Sequence, residues 1–221
     1  MTIKAKLDEL SREWDPFTTG EEIANSVTHG IGFLLGVAGL VLLIIKAVIH
    51  GTAWHVVGFT IYGSMLVFMY LFSTLYHCLP GEGAKNVFER FDHAGIFLMI
   101  AGTYTAITLT NLRGSWGWTI FGIIWGLAIT GIVLKSIFIA RFPNLIVALY
   151  VGMGWLFIIA FRQMAAHLPP ISLQLLIIGN AFYSLGIIYY LWRGLPFSHA
   201  IWHLFVLSGS IFHYFSIYLI L

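Results

Sequence analysis

Two histidines stand four residues apart in the stretch Ser198-His199-Ala200-Ile201-Trp202-His203-Leu204-Phe205-Val206. On a helix that spacing puts both imidazoles on one face, about one turn apart. Such a pair is costly in apolar surroundings unless something uses it. A metal ion is an apt user, because neutral imidazole is a common zinc ligand. Two ligands do not complete a site. A third histidine, His77, ends another apolar run, and Asp92 follows at the start of the next. Three histidines plus one water form the ligand set of an open zinc site, and such an ion can bring the pKa of its water to about 7. His77, His199 and His203 are the candidate ligands. Asp92 could then hold the water or take its proton as a general base. Ser73, four residues before His77 and on the same face, could orient the water or the carbonyl under attack.

The elements that must position these residues are membrane spans. Of the 221 residues, 59% are hydrophobic and 9% charged, against about 25% charged in soluble domains. The chain therefore reads as an all-α polytopic membrane protein. The net charge of +2 points to no nucleic-acid role. The single cysteine, Cys78, cannot form an internal disulfide. No cleavable signal peptide is expected, because the charged N-terminus leads into an amphipathic pattern. Ile3, Leu7, Leu10 and Trp14 make one face of that pattern, so residues 1–20 are expected to form an interfacial segment ahead of a bundle at 21–221.

Seven stretches are long enough to span a bilayer, at 27–49, 55–79, 92–112, 116–139, 144–162, 171–192 and 198–220. Lysines and arginines orient them. With the N-terminus inside, eight lie on the cytoplasmic side and three (Lys46, Arg113 and Arg162) outside. The N-terminus is thus expected inside and the C-terminus outside. This parity brings the end of helix 2 and the starts of helices 3 and 7 to the same side. His77, Asp92, His199 and His203 are then expected at one depth, near the cytoplasmic interface. Lipid ester and amide carbonyls lie there too, so a membrane lipid is the expected substrate or ligand.

Plainer readings stand beside these. His50, His55 and His167 read as amphipathic side chains near water. The His199/His203 pair could serve as interhelical hydrogen-bonding groups. Asp92 could cap helix 3. Cys78 points about 100° away from His77 on the helix and is left out of the site. Glu21, Asn25 and His29 lie at steps of four leading into helix 1, where they could pack over the metal site or help order it. His213 lies about 15 Å beyond His203 along the helix, too far to bind the same ion. The small residues of Ala101-Gly102-Thr103-Tyr104-Thr105 suit close helix packing.

The segments Glu21-Glu22-Ile23-Ala24-Asn25-Ser26-Val27-Thr28-His29-Gly30, Ser73-Thr74-Leu75-Tyr76-His77, Phe91-Asp92-His93, Ala101-Gly102-Thr103-Tyr104-Thr105 and His199-Ala200-Ile201-Trp202-His203 together resemble the bacterial hemolysin III family. These are also called PAQR-family membrane homeostasis proteins, with adiponectin and progestin receptors and alkaline ceramidases as wider relatives. The resemblance covers the chain from about residue 20. It implies seven helices and an intramembrane zinc held by His77, His199 and His203, with Ser73 and Asp92 around the bound water. It also implies hydrolysis of a lipid amide or ester, or control of membrane composition. No long N-terminal receptor domain is expected, so a hormone-receptor role is not carried over. A zinc-dependent lipid hydrolase is the first expectation. A non-enzymatic sensor with a structural zinc, and a cytolytic protein, are the alternatives. No protein partner is implied.

Overall fold

Thr18 starts the first helix with a reciprocal cap. Its hydroxyl accepts from the Glu21 backbone N–H, and the Glu21 carboxylate accepts from the Thr18 N–H. The computed structural model describes residues 17–137, 143–192 and 194–221. The amphipathic pattern at 3–14 lies outside the described residues.

The described residues form α-helices joined by short connections: α1 Thr19–His50, α2 Ala53–Cys78, α3 Glu82–Leu109, α4 Ser115–Ile137, α5 Pro143–Gly154, α6 Phe161–His167, α7 Pro170–Leu191 and α8 Ser198–Tyr218, with one 3-10 turn at Leu156–Ile158. Five of them, α1, α2, α4, α7 and α8, are long and apolar enough to cross a membrane. A sixth span results if α5 and its 3-10 turn are counted together with α6, which follows a bend of 55°. The chain is therefore an all-α, multi-pass membrane bundle. Its outer faces carry unpaired apolar side chains such as Leu34, Val48, Ile129 and Ile188, as lipid-facing helices do.

Three expected boundaries shift, the first because α1 begins at Thr19, eight residues ahead of the expected 27–49 span. The 144–162 stretch is a broken segment rather than one straight span. The third helix begins at Glu82, ten residues before Asp92, with Gly81 (φ 96°) as its N-cap. Asp92 is thus well inside α3 and does not cap it.

The helices pack around a closed circuit. α1 lies on α2, α2 on α3, α3 on α4, and α7 on α8, while α8 returns to α1. α5 leans on α3 and α4. Close backbone approach sets α2 against α3. A Cβ on Gly95 would stand 3.0 Å from Met69 Cα. Polar ties cross between helices: Tyr70 donates to Ser210 Oγ (2.7 Å), Trp125 Nε1 to Thr105 Oγ1 (3.0 Å), and Ser216 Oγ to the Ser172 carbonyl (2.7 Å). Such bonds contribute about 0.6 kcal/mol each inside membranes. At the centre is a mostly apolar cavity. It runs along α3 from Glu89 to Ile107 and is walled by α5, α7 and α8.

Candidate metal centre

His77 comes from the last turn of α2, and His199 and His203 from the first two turns of α8. Helical geometry aligns the α8 pair, and α1 wedged beside both helices brings them to His77. One ring nitrogen from each histidine lies within 4.8 Å of the others. All three side chains are buried. The Nε2 atoms of His77, His199 and His203 have no hydrogen-bond partner among the described residues. Three converging, unpartnered imidazole nitrogens in an apolar interior are costly as they stand.

The opposite ring nitrogens explain the orientation. His77 Nδ1 lies 2.6 Å from the Glu22 carboxylate. A carboxylate accepts, so Nδ1 carries the proton and Nε2 keeps its lone pair. Lys85 holds the other Glu22 oxygen. His203 Nδ1 donates to the Asn25 carbonyl oxygen (3.1 Å), with the Thr28 hydroxyl 3.2 Å away. It too is left with a free lone pair on Nε2. Donation from the outer ring nitrogen to a carboxylate or carbonyl is the arrangement that supports metal-ligating histidines. Tetrahedral zinc ligands stand about 3.3 Å apart, inside the 4.8 Å bound on the separations of these nitrogens. The residues therefore fit a metal ion.

The remaining candidates fall around this core. Ser73 is fully buried, and its hydroxyl lies 2.7 Å from His29 Nδ1. His29 stacks on His203 with ring centroids 3.5 Å apart. Asp92, on α3, is close to both Ser73 and His77 and lines the cavity. Asn25 is fully buried, its amide at 3.5 Å from His77 Nδ1. Phe17 closes the outer side, its ring 4.8 Å from that of His199 and 5.6 Å from that of His77.

Glu21 does not reach the histidines. It accepts from the Thr18 N–H and hydroxyl and from the Phe197 backbone N–H (3.0 Å). That last bond ties the start of α1 to the start of α8, where Phe197 adopts a left-handed conformation (φ 59°). Glu22 was the residue that spacing missed. The ladder of fours from Glu21 to Asn25 and His29 passes it by, and only the rotation of α1 against α2 turns Glu22 toward His77. Cys78 is exposed and outside the cluster. His55 caps α2 through Thr52 at the opposite end. His213 is buried and donates Nε2–H to the Leu176 carbonyl, away from the cluster.

The fold and site define a class: a multi-pass helical membrane protein with a buried tri-histidine cluster that could hold a metal ion, opening on an internal cavity. A family model described as haemolysin-III related matches residues 17–214. The chain is 48% identical over 197 residues to Hemolysin-3 of Bacillus cereus, covering 89% of this chain and 90% of that protein. It is 47% identical over 201 residues to the Hemolysin-3 homolog of Bacillus subtilis (strain 168), covering 91% and 94% respectively. A human protein, Monocyte to macrophage differentiation factor, is 26% identical over 207 residues, covering 91% of this chain and 84% of its own. The chain belongs to the haemolysin-III family. Its bacterial relatives and its apolar spans are consistent with a multi-span protein of the bacterial inner membrane.

Proposed function

We propose that this protein is a zinc-dependent hydrolase of a lipid amide or ester bond, serving membrane lipid homeostasis. The observation that carries the reading is the convergence of three unpartnered histidine nitrogens beside an apolar cavity that also presents Asp92. His77, His199 and His203 would hold zinc through Nε2. A bound zinc ion supplies Lewis acidity and a nucleophile competent at neutral pH. The protein's own groups do the rest. Asp92 accepts the proton of the attacking water at its carboxylate. Ser73, anchored on His29, orients the water or the substrate carbonyl through its hydroxyl. Glu22 and the Asn25 carbonyl hold the imidazoles in the binding tautomer. Phe17, Trp202 and Tyr190 exclude bulk water from the cluster. The cavity accepts the acyl chain.

The reading includes seven spans with the N-terminus in the cytoplasm and the C-terminus outside. α3, with 28 residues, has the length to cross. Its lower apolarity matches a central helix that turns Asp92 and a run of threonines inward. The lysine and arginine bias then sets the histidine cluster near the cytoplasmic face.

Elemental mass spectrometry of the purified protein, beside a His77, His199, His203→Ala triple variant, is the first test. About one zinc per chain, lost in the variant, is expected. A well-folded wild-type protein without metal would remove the hydrolase. Lipid turnover by pure protein in defined vesicles follows, and turnover that survives both Asp92→Ala and zinc removal would sink the mechanism.

One observation favours a second reading. The three histidines join α2 to α8, two helices that otherwise meet mostly through α1. Zinc would then be a structural pin in a membrane sensor, and Asp92→Asn would keep full biological function while a single His→Ala lowers thermal stability. The names of the Bacillus relatives raise a third, cytolysis. Dye release from vesicles at physiological protein density would be its signature.

A further inference from the structure

The cavity carries polar groups at two levels. One is at the edge of the histidine cluster, where His199 and Asp92 line the wall. The other lies deeper, where α7 packs on α8 and His213 and Asn180 line the wall. Between them the lining is largely apolar, with Ile100, Val151, Ile187 and Val206.

His213 donates Nε2–H to the Leu176 carbonyl oxygen at 3.2 Å. A carbonyl only accepts, so the proton sits on Nε2 and Nδ1 carries a lone pair. That Nδ1 is buried without a partner among the described residues. Leu176 is one helical turn before Asn180. Gly179 lets the imidazole lie against the α7 backbone, since a Cβ there would stand 2.2 Å from His213 Cδ2. The ring is therefore seated beside Asn180. Asn180 is 5% exposed and lines the same cavity. An unpartnered acceptor and a side-chain amide thus line the same apolar cavity. Buried polar groups of this kind ordinarily have partners.

We propose that His213 and Asn180 form a subsite for a hydroxyl group on a lipid chain. A hydroxyl donates to His213 Nδ1 and accepts from the Asn180 amide, whereas a methylene does neither. His213 follows His203 by ten residues on α8, a rise of about 15 Å. A ligand with its carbonyl at the histidine cluster therefore meets the subsite near the middle of a long acyl chain. The inference rests on the cavity being a lipid site, and names which lipids it prefers.

The test is displacement of a fluorescent fatty acid from the full-length protein in nanodiscs. The competitors are octadecanoic acid, its counterpart hydroxylated near mid-chain, and its counterpart hydroxylated beside the carboxyl. The mid-chain hydroxy acid is expected to bind about tenfold tighter than the plain acid. The hydroxyl beside the carboxyl gains nothing. His213→Phe and Asn180→Leu each abolish the preference and keep the affinity for the plain acid. If His213→Phe does not fold, Asn180→Leu decides. Equal affinity for the plain and mid-chain acids in the wild type, or a preference intact in the variants, overturns the subsite and leaves the lipid reading standing. Binding of none of the acids overturns both.

Discussion

Glu22 sits one position off the regular ladder that leads into α1, and it is the carboxylate that sets the tautomer of His77. Removing it should loosen the metal without removing a ligand. Glu22→Ala is expected to weaken zinc binding by about 10–100-fold in a chelator competition, while the ion count at saturating zinc stays the same. Glu22→Gln should lose less, because its amide oxygen still accepts from Nδ1. Asp92 makes the opposite prediction. It is near the cluster but outside the three converging nitrogens. Asp92→Asn is expected to retain one zinc per chain and to lose lipid turnover by about 10²-fold or more, measured on reconstituted protein. At this scale, residue types and spacing were enough to single out His77, His199 and His203 as a set. Glu22 was not legible, because Glu21 and Glu22 are chemically equal in sequence and differ only in which way α1 is turned.

The elements show why Asp92 can stand where it does. Its helix starts ten residues earlier, and Gly95, one turn beyond, lets α3 approach the Met69 backbone of α2. A larger side chain there has no space to enter. Gly95→Val is expected to cost about 1–3 kcal/mol, read as a lower midpoint of thermal unfolding in detergent, and to move Asp92 away from Ser73. A control at Gly122, which has nothing within 4 Å of an added Cβ, should change little. The small residues around Gly102 were a visible packing signal, and a Cβ on Gly102 would indeed stand 3.1 Å from Met65. The break after Gly154 was not visible in the same way. The residues from 145 to 161 are apolar throughout, and hydropathy does not distinguish a straight span from one bent by 55°.

For the whole molecule, the ends of the circuit meet: α1 packs on α8, and Glu21 and Lys46 each bond backbone at opposite ends of α8. An ion joining α2 to α8 at one end of this circuit would stabilise all three helices. Zinc at 100 times its dissociation constant should add about 2.7 kcal/mol, so chelation is expected to lower the unfolding midpoint of the wild type and not of the triple histidine variant. Orientation has a native probe. Cys78 is the single cysteine, is exposed, and follows His77 at the end of α2. With the N-terminus inside, a membrane-impermeant maleimide should label it only after the cells are permeabilised. Labelling of intact spheroplasts would invert the topology.

Apolar run length and the near absence of charge made this a helical membrane protein from its sequence, since both are local properties that no packing can reverse. The four-residue spacings did the same for the histidine pair on α8 and for Ser73 with His77, because a helix puts such residues on one face whatever surrounds it. Which carboxylate supports His77, where Asp92 lies in its helix, and the cavity joining the cluster to His213 were decided only in three dimensions. Each depends on how far one helix is rotated against another and on where backbones come within a few ångströms, and those are properties of pairs of helices rather than of any single stretch of chain.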